Sequence, residues 1–467
     1  MRKKEDADRE LFDAQYQNFA WSINPNNPLV AELAAIDELL DEAPETLDLV
    51  DADLTNRAKT VPGRPTEATC EQVLRAAILM RLRGLRYRQL AEEIDASMLY
   101  RKFTRFYGKK IPHFATLNNL IKMISDETIQ KVNEAIVRLG IKRKLEDGKS
   151  IRHDTTVAET DIARPSDSRL LNDSVRVMSR YLDRLRDAAP EIDYTYHNHT
   201  RAAKKRAYQI AVGKGKGAEK KRQTLYEELL DIQQRVRGYG QAALEAVHAD
   251  ASVAMRFDVI GIVIELEAVL PLAEQVYNQT HRRVILGETV PREDKVISIF
   301  EPHSDIICRG KKGSPAEFGH KFDVATGRSG LITRYEVYRG NPCDGEVLER
   351  ALEDHTSLFG RAPERLATDR RYHSAANERI ASEAGVLEVA LPKPGRLSEV
   401  RKSLQKSAWF RRLLRFRAGI EGNLSTLLRS FGLKRCLWKG WASFKAYIGL
   451  GVLTYNLRLL AGHLAKT

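Results

Sequence analysis

The chain has 467 residues, with 76 Lys or Arg against 63 Asp or Glu and a formal net charge of +13 at neutral pH. That length allows about two to four domains with at least one large core, and the positive excess favours a polyanionic partner. Cys70, Cys308, Cys343 and Cys436 lie far apart, which excludes a paired zinc or redox motif and a disulfide framework; they read as reduced thiols of a cytosolic protein.

At the N-terminus, MRKKEDADRELFD contains no apolar run, so no secretory signal is expected. Glu32 to Asp53 then carries nine acids and no Lys or Arg. Leu29, Val30, Leu33, Ile36, Leu39 and Leu40 give it a helical apolar stripe. Residues 1–60 therefore form an acidic helical segment. It either packs on something basic, in this chain or a second copy, or stays solvated.

After the turn-like VPGRP at Val61 to Pro65, residues 61–140 read as a block of short helices. Val73, Leu74, Ala77, Ile78 and Leu82 mark the first, ending near Gly84. Tyr87 to Ile94, Ser97 (an N-cap) to Phe106, and Thr116 to Ile124 mark three more. Arg75, Arg81, Arg83, Arg86, Arg88, Arg101, Lys102, Arg105, Lys109 and Lys110 fall on the expected solvent sides, interleaved with Tyr87, Tyr100, Phe103 and Tyr107. Such helices suit a helix-turn-helix variant entering DNA, the alternative being a small bundle for protein contacts.

Ser150 to Thr160 alternates Ile151, His153, Thr155 and Val157 with Arg152, Asp154, Thr156 and Ala158, the signature of a strand. Asp154 sits mid-strand, where propensity disfavours it, and such a broken rule often marks function. Residues 161–295 form a mostly helical insertion. Its segment Arg201 to Arg222 holds nine Lys/Arg, among them Lys204, Lys205, Lys220 and Lys221, and one acid. This is either a basic hairpin laid along a phosphate backbone or a solvated loop. The piece GKGKG at Gly213 to Gly217 lacks nucleotide-loop spacing.

From Pro302 the period returns to two. Glu317 to Ala325 and Leu331 to Tyr338 form an antiparallel hairpin across TGRSG. Val347 to Asp354 is helical, Glu364 to Thr368 is a strand leading into Asp369, and Val386 to Leu391 is a strand before PKPG. Phe416 to Gly440 reads mostly as one amphipathic helix through Leu424, Leu427, Leu428 and Phe431. It carries Arg417, Arg429, Lys434, Arg435 and Lys439 around a lone acid, Glu421. Arg417 and Glu421 share a face, as an intrahelical ion pair or as a metal ligand beside a polyanion. Ala446 to Leu464, interrupted by Thr454, Asn456, Arg458 and His463, is a core helix and not a membrane span. The fold class is mixed α/β (α+β), multi-domain: a helical N-terminal region, then a mixed sheet of residues 141–160 and 296–467 interrupted by the insertion.

Two carboxylates on strands, Asp154 and Asp369, and one on a helix, Glu421, can converge at one sheet edge. Oxygen donors without a Cys/His cluster suit Mg²⁺ or Mn²⁺, and two such ions can bind the attacking and leaving oxygens of a phosphoryl displacement. His373 reads as structural, and Glu317 and Asp323 as strand-face charge.

The motifs HDTTVAET around Asp154, EPHSDIICRGKKGSPAEFGHK at Glu301 to Lys321, ATDRRYHS around Asp369 and RAGIEGNLSTLLRSFGLKRCLWKG around Glu421 resemble bacterial insertion-sequence transposases of the DDE type, whose catalytic domain is ribonuclease-H-like. The helices from Gly63 to Ile124 resemble the N-terminal domain of these enzymes. The resemblance implies that Asp154, Asp369 and Glu421 are a metal-binding triad and that Arg417 is the basic member of the extended signature. It implies double-stranded DNA as partner, at element ends and at the target, a homodimer on DNA, and Mg²⁺ or Mn²⁺ as cofactor, two per site. Three positions depart from the pattern. Leu414 replaces a tyrosine, Leu428 a lysine, and Arg371 a glycine that would be strained if its turn needs a positive φ. The alternatives are a junction-resolvase-like nuclease and an impaired relic that only binds DNA.

Overall fold

The computed structural model describes residue 4 and residues 27–58, 68–213, 218–308 and 316–464. The VPGRP turn, residues 214–217 of the GKGKG piece and the centre of the Glu301 to Lys321 motif lie outside these. The chain divides into two compact units: Met1–Asp161 with Gly319–Thr467, and Ile162–Phe318.

The first unit opens with α1 (Pro28–Asp41) and α2 (Glu45–Ala58), then α3 (Cys70–Leu82), α4 (Tyr87–Ala96), α5 (Met98–Phe103), α6 (Phe114–Ile121) and α7 (Asp126–Lys142). Side-chain caps start several of them. Asn27 accepts from Leu29 N at 2.9 Å, Thr69 and Gln72 form a reciprocal capping box, and Ser97 accepts from Tyr100 N at 3.3 Å, the cap expected of it. The acidic α1 packs on basic residues of its own chain. Arg75 and Arg105, both 2% exposed, meet Asp37, Asp41 and Glu71, with Arg75 Nη2–Asp41 Oδ1 at 2.6 Å and Arg105 Nη2–Asp37 Oδ1 at 2.9 Å. Arg105 is held there in a left-handed conformation, φ 61°. A buried ion network of this kind persists because each charge is matched several times over.

Strand β1 (Ser150–Thr160) ends this segment. The second unit then consists of α8 (Asp167–Ala188), α9 (Thr200–Val212), α10 (Ala218–Ala249), α11 (Ala251–Ala254), α12 (Phe257–Thr280) and a short strand β2 (Asp305–Ile307). Its core is separate: Leu171, Val175, Met178 and Leu182 on one face of α8 meet Leu229 and Val236 of α10 and Leu266 and Ala273 of α12.

The first unit resumes at Gly319, within β3 (Glu317–Thr326), and continues with β4 (Ile332–Val337), α13 (Leu348–Phe359), β5 (Arg365–Thr368), α14 (Ala375–Glu383), β6 (Glu388–Ala390), α15 (Glu399–Lys406), α16 (Ala408–Ala418), α17 (Ile420–Arg429), β7 (Arg435–Cys436) and α18 (Trp441–Leu464). The strands run in the order β4-β3-β1-β5-β6. β3 lies antiparallel to β1 and β4 to β3, while β5 is parallel to β1 and β6 to β5. An antiparallel hairpin on one side of the first strand and parallel strands on the other is the ribonuclease-H-like arrangement. The expected amphipathic helix from Phe416 to Gly440 is shorter than read: it stops at Arg429, the chain turns through Gly432 at φ +67°, and β7 pairs with the end of β1. Long-range pairing overrides the local apolar spacing.

Helix α18 is buried on nearly every side. Phe444, Ile448, Val452 and Leu457 share one core with Ile36 of α1, Ile78 of α3 and Ile136 of α7. Uniform apolarity marks a helix at the centre of a large core, and among the described residues no helix is long and apolar enough to cross a membrane.

Candidate active site

β1 and β5 are in register from Ser150↔Arg365 to His153↔Thr368. Asp154 and Asp369 are the next residues of these two neighbouring strands. Asp154 Oδ1 accepts from Thr155 N at 2.8 Å. Asp369 caps the single 3-10 turn Arg370–Tyr372, its Oδ1 accepting from Arg370 N at 2.6 Å. Helix α16 lies over this end of the sheet because Phe410 and Leu413 pack on Ala367 of β5 and Ala390 of β6. At the end of α16, Arg417 donates from Nη2 to Asp154 Oδ2 at 2.8 Å and from Nη1 to Glu421 Oε1 at 3.0 Å. Asp154 and Arg417 are largely buried, whereas the Glu421 side chain is 67% exposed. Burial pushes the Asp154 carboxyl up; Arg417 and the Thr155 N–H pull it down, and the negative charge of Asp369 adds to the rise, leaving it above its ordinary value.

The sheet fixes how α16 and α17 meet. Arg152, two residues before Asp154 and on the same strand face, donates to Thr326 Oγ1 at 2.8 Å, to the Phe416 carbonyl at 2.8 Å and to Asn423 Oδ1 at 3.0 Å. Its guanidinium passes directly over the helix junction, and a Cβ at Gly419 would lie 2.1 Å from Arg152 Nη1. The glycine of the GIE motif is therefore a close-approach glycine; its φ is an ordinary −63°.

On the opposite face of β1, the buried His153 ring lies with Nδ1 3.0 Å from the Tyr372 hydroxyl and Nε2 3.0 Å from Asp323 Oδ2. Asp323 also pairs with Arg334 and accepts from the Tyr338 hydroxyl at 2.8 Å. Burial raises the Asp323 carboxyl, but His153 and Arg334 more than reverse this and hold it below the usual carboxylate range. Asp323 is thus not the surface strand charge it resembles in the sequence. The network ties the residue beside Asp154 to the turn that follows Asp369. Sequence reasoning missed Arg152, His153, Tyr372 and Asn423; the one available signal was the placement of Arg152 and His153 directly ahead of Asp154.

Other expected residues separate into two groups. Arg429, Lys434 and Arg435 are exposed, with Arg435 also 2.9 Å from Glu159. Lys204, Lys205, Lys220 and Lys221 are exposed on α9 and α10. Arg83, Arg86 and Arg88 are exposed as expected. Arg81, Lys102 and Arg105, expected on solvent faces for DNA, are instead 8%, 2% and 2% exposed. Arg81 stacks over the Tyr447 ring at 3.7 Å, Lys102 lies over Tyr107, and Arg105 belongs to the acidic network. Half-buried Arg101 binds the carbonyls of Tyr107 and Lys109 at 2.8 and 2.9 Å. The strain expected at Arg371 does not arise: among the described residues the non-glycine positive-φ positions are Arg105, Tyr107 and Lys144. His373 is half-buried, 3.7 Å from Glu378, and burial lowers its pKa.

The carboxylates available to a divalent cation at this edge are Asp154, Asp369 and Glu421. Their hard oxygens suit Mg²⁺ or Mn²⁺ in kind; the rise of Asp154 comes first from burial, with the charge of Asp369 a smaller contribution. Among the described residues no three Asp, Glu, His or Cys groups stand in metal-holding proximity; Asp154 and Glu421 each pair with Arg417.

The sheet is ribonuclease-H-like, with Asp154 and Asp369 following paired positions of neighbouring strands and Glu421 on α17. A family model described as a transposase domain matches residues 22–123, and one described as a transposase DDE domain matches residues 305–457. The chain belongs to the insertion-sequence transposases of the DDE type. No curated protein and no solved structure matches it.

Proposed function

We propose that the chain binds the terminal inverted repeats of its own mobile element, cuts the element ends in a metal-dependent reaction and joins the freed 3′ ends to target DNA. The observation that carries this reading is the placement of Asp154 and Asp369 at adjacent positions of β1 and β5, with Arg417 linking Asp154 to Glu421. Asp154, Asp369 and Glu421 would hold Mg²⁺ or Mn²⁺, two ions per site, and such ions supply activation of the attacking oxygen and neutralisation of charge on the leaving one. Arg417, once turned from the carboxylates, would face the scissile phosphate. Arg152 and Gly419 fix where α17 presents Glu421, and the His153–Asp323 network fixes the strand behind Asp154.

In this reading, end recognition belongs to residues 61–140 through the exposed Arg83, Arg86 and Arg88, with the acidic helices α1 and α2 packed on that block. Residues 141–160 and 296–467 form the catalytic domain. The insertion, 161–295, grips backbone through Lys204, Lys205, Lys220 and Lys221, and Arg429, Lys434 and Arg435 do so near the cut. The protein acts in the cytoplasm as a dimer on DNA. A relic confined to binding loses its main support, because Arg371 sits in an unstrained turn.

The test uses a duplex taken from the DNA that flanks the gene, with Mg²⁺ or with chelator. Mg²⁺-dependent nicking at the element end, followed by joining to a second duplex, supports the reading. Nicking without joining makes the protein a related nuclease, and binding without nicking makes it a relic. Asp369→Asn should lose nicking while end affinity stays nearly intact, since affinity comes mainly from Lys/Arg on phosphates.

A further inference from the structure

The second unit carries a groove of about 490 Å³ between α8 and α9. Arg176, Arg180 and Arg184 enter it at four-residue spacing along one face of α8, and Arg201 and Lys204 face them from α9. All five side chains are on exposed residues. Two carboxylates share the lining with these five cations: Asp183 and Asp187 lie 3.4 and 3.7 Å from Arg186, outside the groove, and Asp183 accepts at 3.0 Å from Asn198, itself in the lining. Among the described residues, no carboxylate pairs with Arg180, Arg184, Arg201 or Lys204. Elsewhere in the unit Arg206, Arg256 and Arg282 pair with Glu228, Glu191 and Glu288 at 2.9, 2.6 and 2.7 Å.

Unneutralised cations gathered in one concave site raise the local potential and draw in anions. The rest of the lining is polar, including Asn172, Ser179 and Thr200. No aromatic face is offered to an unstacked base, which argues against a single-strand platform. Arg176 pairs with Asp173 at 3.0 Å; residues four apart on a helix rise about 6 Å, so the unpaired Arg180 and Arg184 span the axial length of about two nucleotides of one strand of a duplex.

We infer that this groove is a binding subsite for the phosphodiester backbone of duplex DNA, reading no sequence. The inference deepens the transposase reading and rests on it. Backbone contacts position a duplex without specifying it, so the groove would hold DNA whatever its sequence.

The experiment compares the full chain with the triple variant Arg180→Gln, Arg184→Gln, Arg201→Gln, and with the control Arg206→Gln, Arg256→Gln, Arg282→Gln. Circular dichroism first establishes that both are folded; if the triple variant is not, Arg184→Gln with Lys204→Gln replaces it. Affinity for a random-sequence duplex and for the duplex flanking the gene is then measured over a range of salt. The groove variant should give a log K against log salt slope shallower by about 0.9 for each phosphate it no longer neutralises, up to roughly 2.7 for three. The change should be equal on both duplexes, and the control should keep the wild-type slope. An unchanged slope in the groove variant, or an equal change in the control, overturns the inference and directs the groove to an acidic protein partner. Absence of wild-type binding to either duplex would instead overturn the transposase reading itself.

Discussion

Gly419→Ala sets two physical effects against each other with opposite signs. The residue has helical angles, φ −63° and ψ −19°, so by propensity alone alanine should stabilise by about 0.8–1.0 kcal/mol. The added Cβ, however, would sit 2.1 Å from Arg152 Nη1. An arginine tip usually yields, but this one is 8% exposed and held by three hydrogen bonds, to Thr326, Phe416 and Asn423. Retreat sacrifices at least the Nη1 bond to the Phe416 carbonyl, and a hydrogen bond to a charged group contributes about 1.5–3 kcal/mol. The net expectation is destabilisation by roughly 1–2 kcal/mol, together with a shift of Arg417 and Glu421 that slows DNA cleavage. Urea unfolding measures the first effect and single-turnover cleavage the second. In an Arg152→Ala background the penalty should vanish and the propensity gain emerge, a coupling a double-mutant cycle reads directly. A Gly419→Ala protein more stable than wild type and equally active would refute the reasoning.

Burial holds the His355 imidazole down at about 4 against an ordinary 6.5, with the Gly148 carbonyl opposing and Arg361 assisting. Between those values the unfolded chain binds more protons, so this stabilisation is complete above about pH 6.5 and is lost as pH falls toward 4, a change of roughly 3 kcal/mol. His355→Gln should flatten that part of a urea-stability profile, and parallel profiles would contradict the assignment. Arg105→Ala takes from Asp37, Asp41 and Glu71 a cation that all three share and should cost about 3–5 kcal/mol by urea unfolding; a cost below about 1 kcal/mol would show the network to be solvent-screened. Residues 1–140 expressed alone should fail to fold, because α3 and α7 bury their apolar faces against α18. A dispersed amide spectrum from that fragment would contradict the shared core.

Local periodicity made much of this fold legible. The hairpin across TGRSG, the Ser97 cap and the strand carrying Asp154 all follow from short-range patterns that tertiary packing left intact. What escaped involved charges buried through distant partners. Arg75 and Arg105 look like solvent-facing cations on short helices, and Asp37 and Asp41, more than 30 residues earlier in the chain, explain their burial together with Glu71. Asp323 alternates correctly for a strand's polar face, yet His153 and Arg334 make that face an interior. The end of α17 was misread because Leu428 and Phe431 keep the helical period while Gly432 and the pairing of β7 with β1 end the helix. At the site, the acids could be named from motifs, but Arg152 as the pin above Gly419 needed the three-dimensional approach of a strand to a helix junction.

The proposed cleavage depends most on Glu421, which lies 3.0 Å from Arg417 across the junction of α16 and α17. As a partly exposed ion pair across the α16–α17 junction it would contribute no more than about 1 kcal/mol, and its removal would leave catalysis nearly untouched. As the third carboxylate of the metal site it is indispensable. The deciding measurement is the single-turnover rate of Mg²⁺-dependent end cleavage by Glu421→Gln, at DNA concentrations that saturate both proteins. A metal-holding Glu421 predicts cleavage below detection with end affinity and salt slope unchanged; a rate near wild type would contradict it.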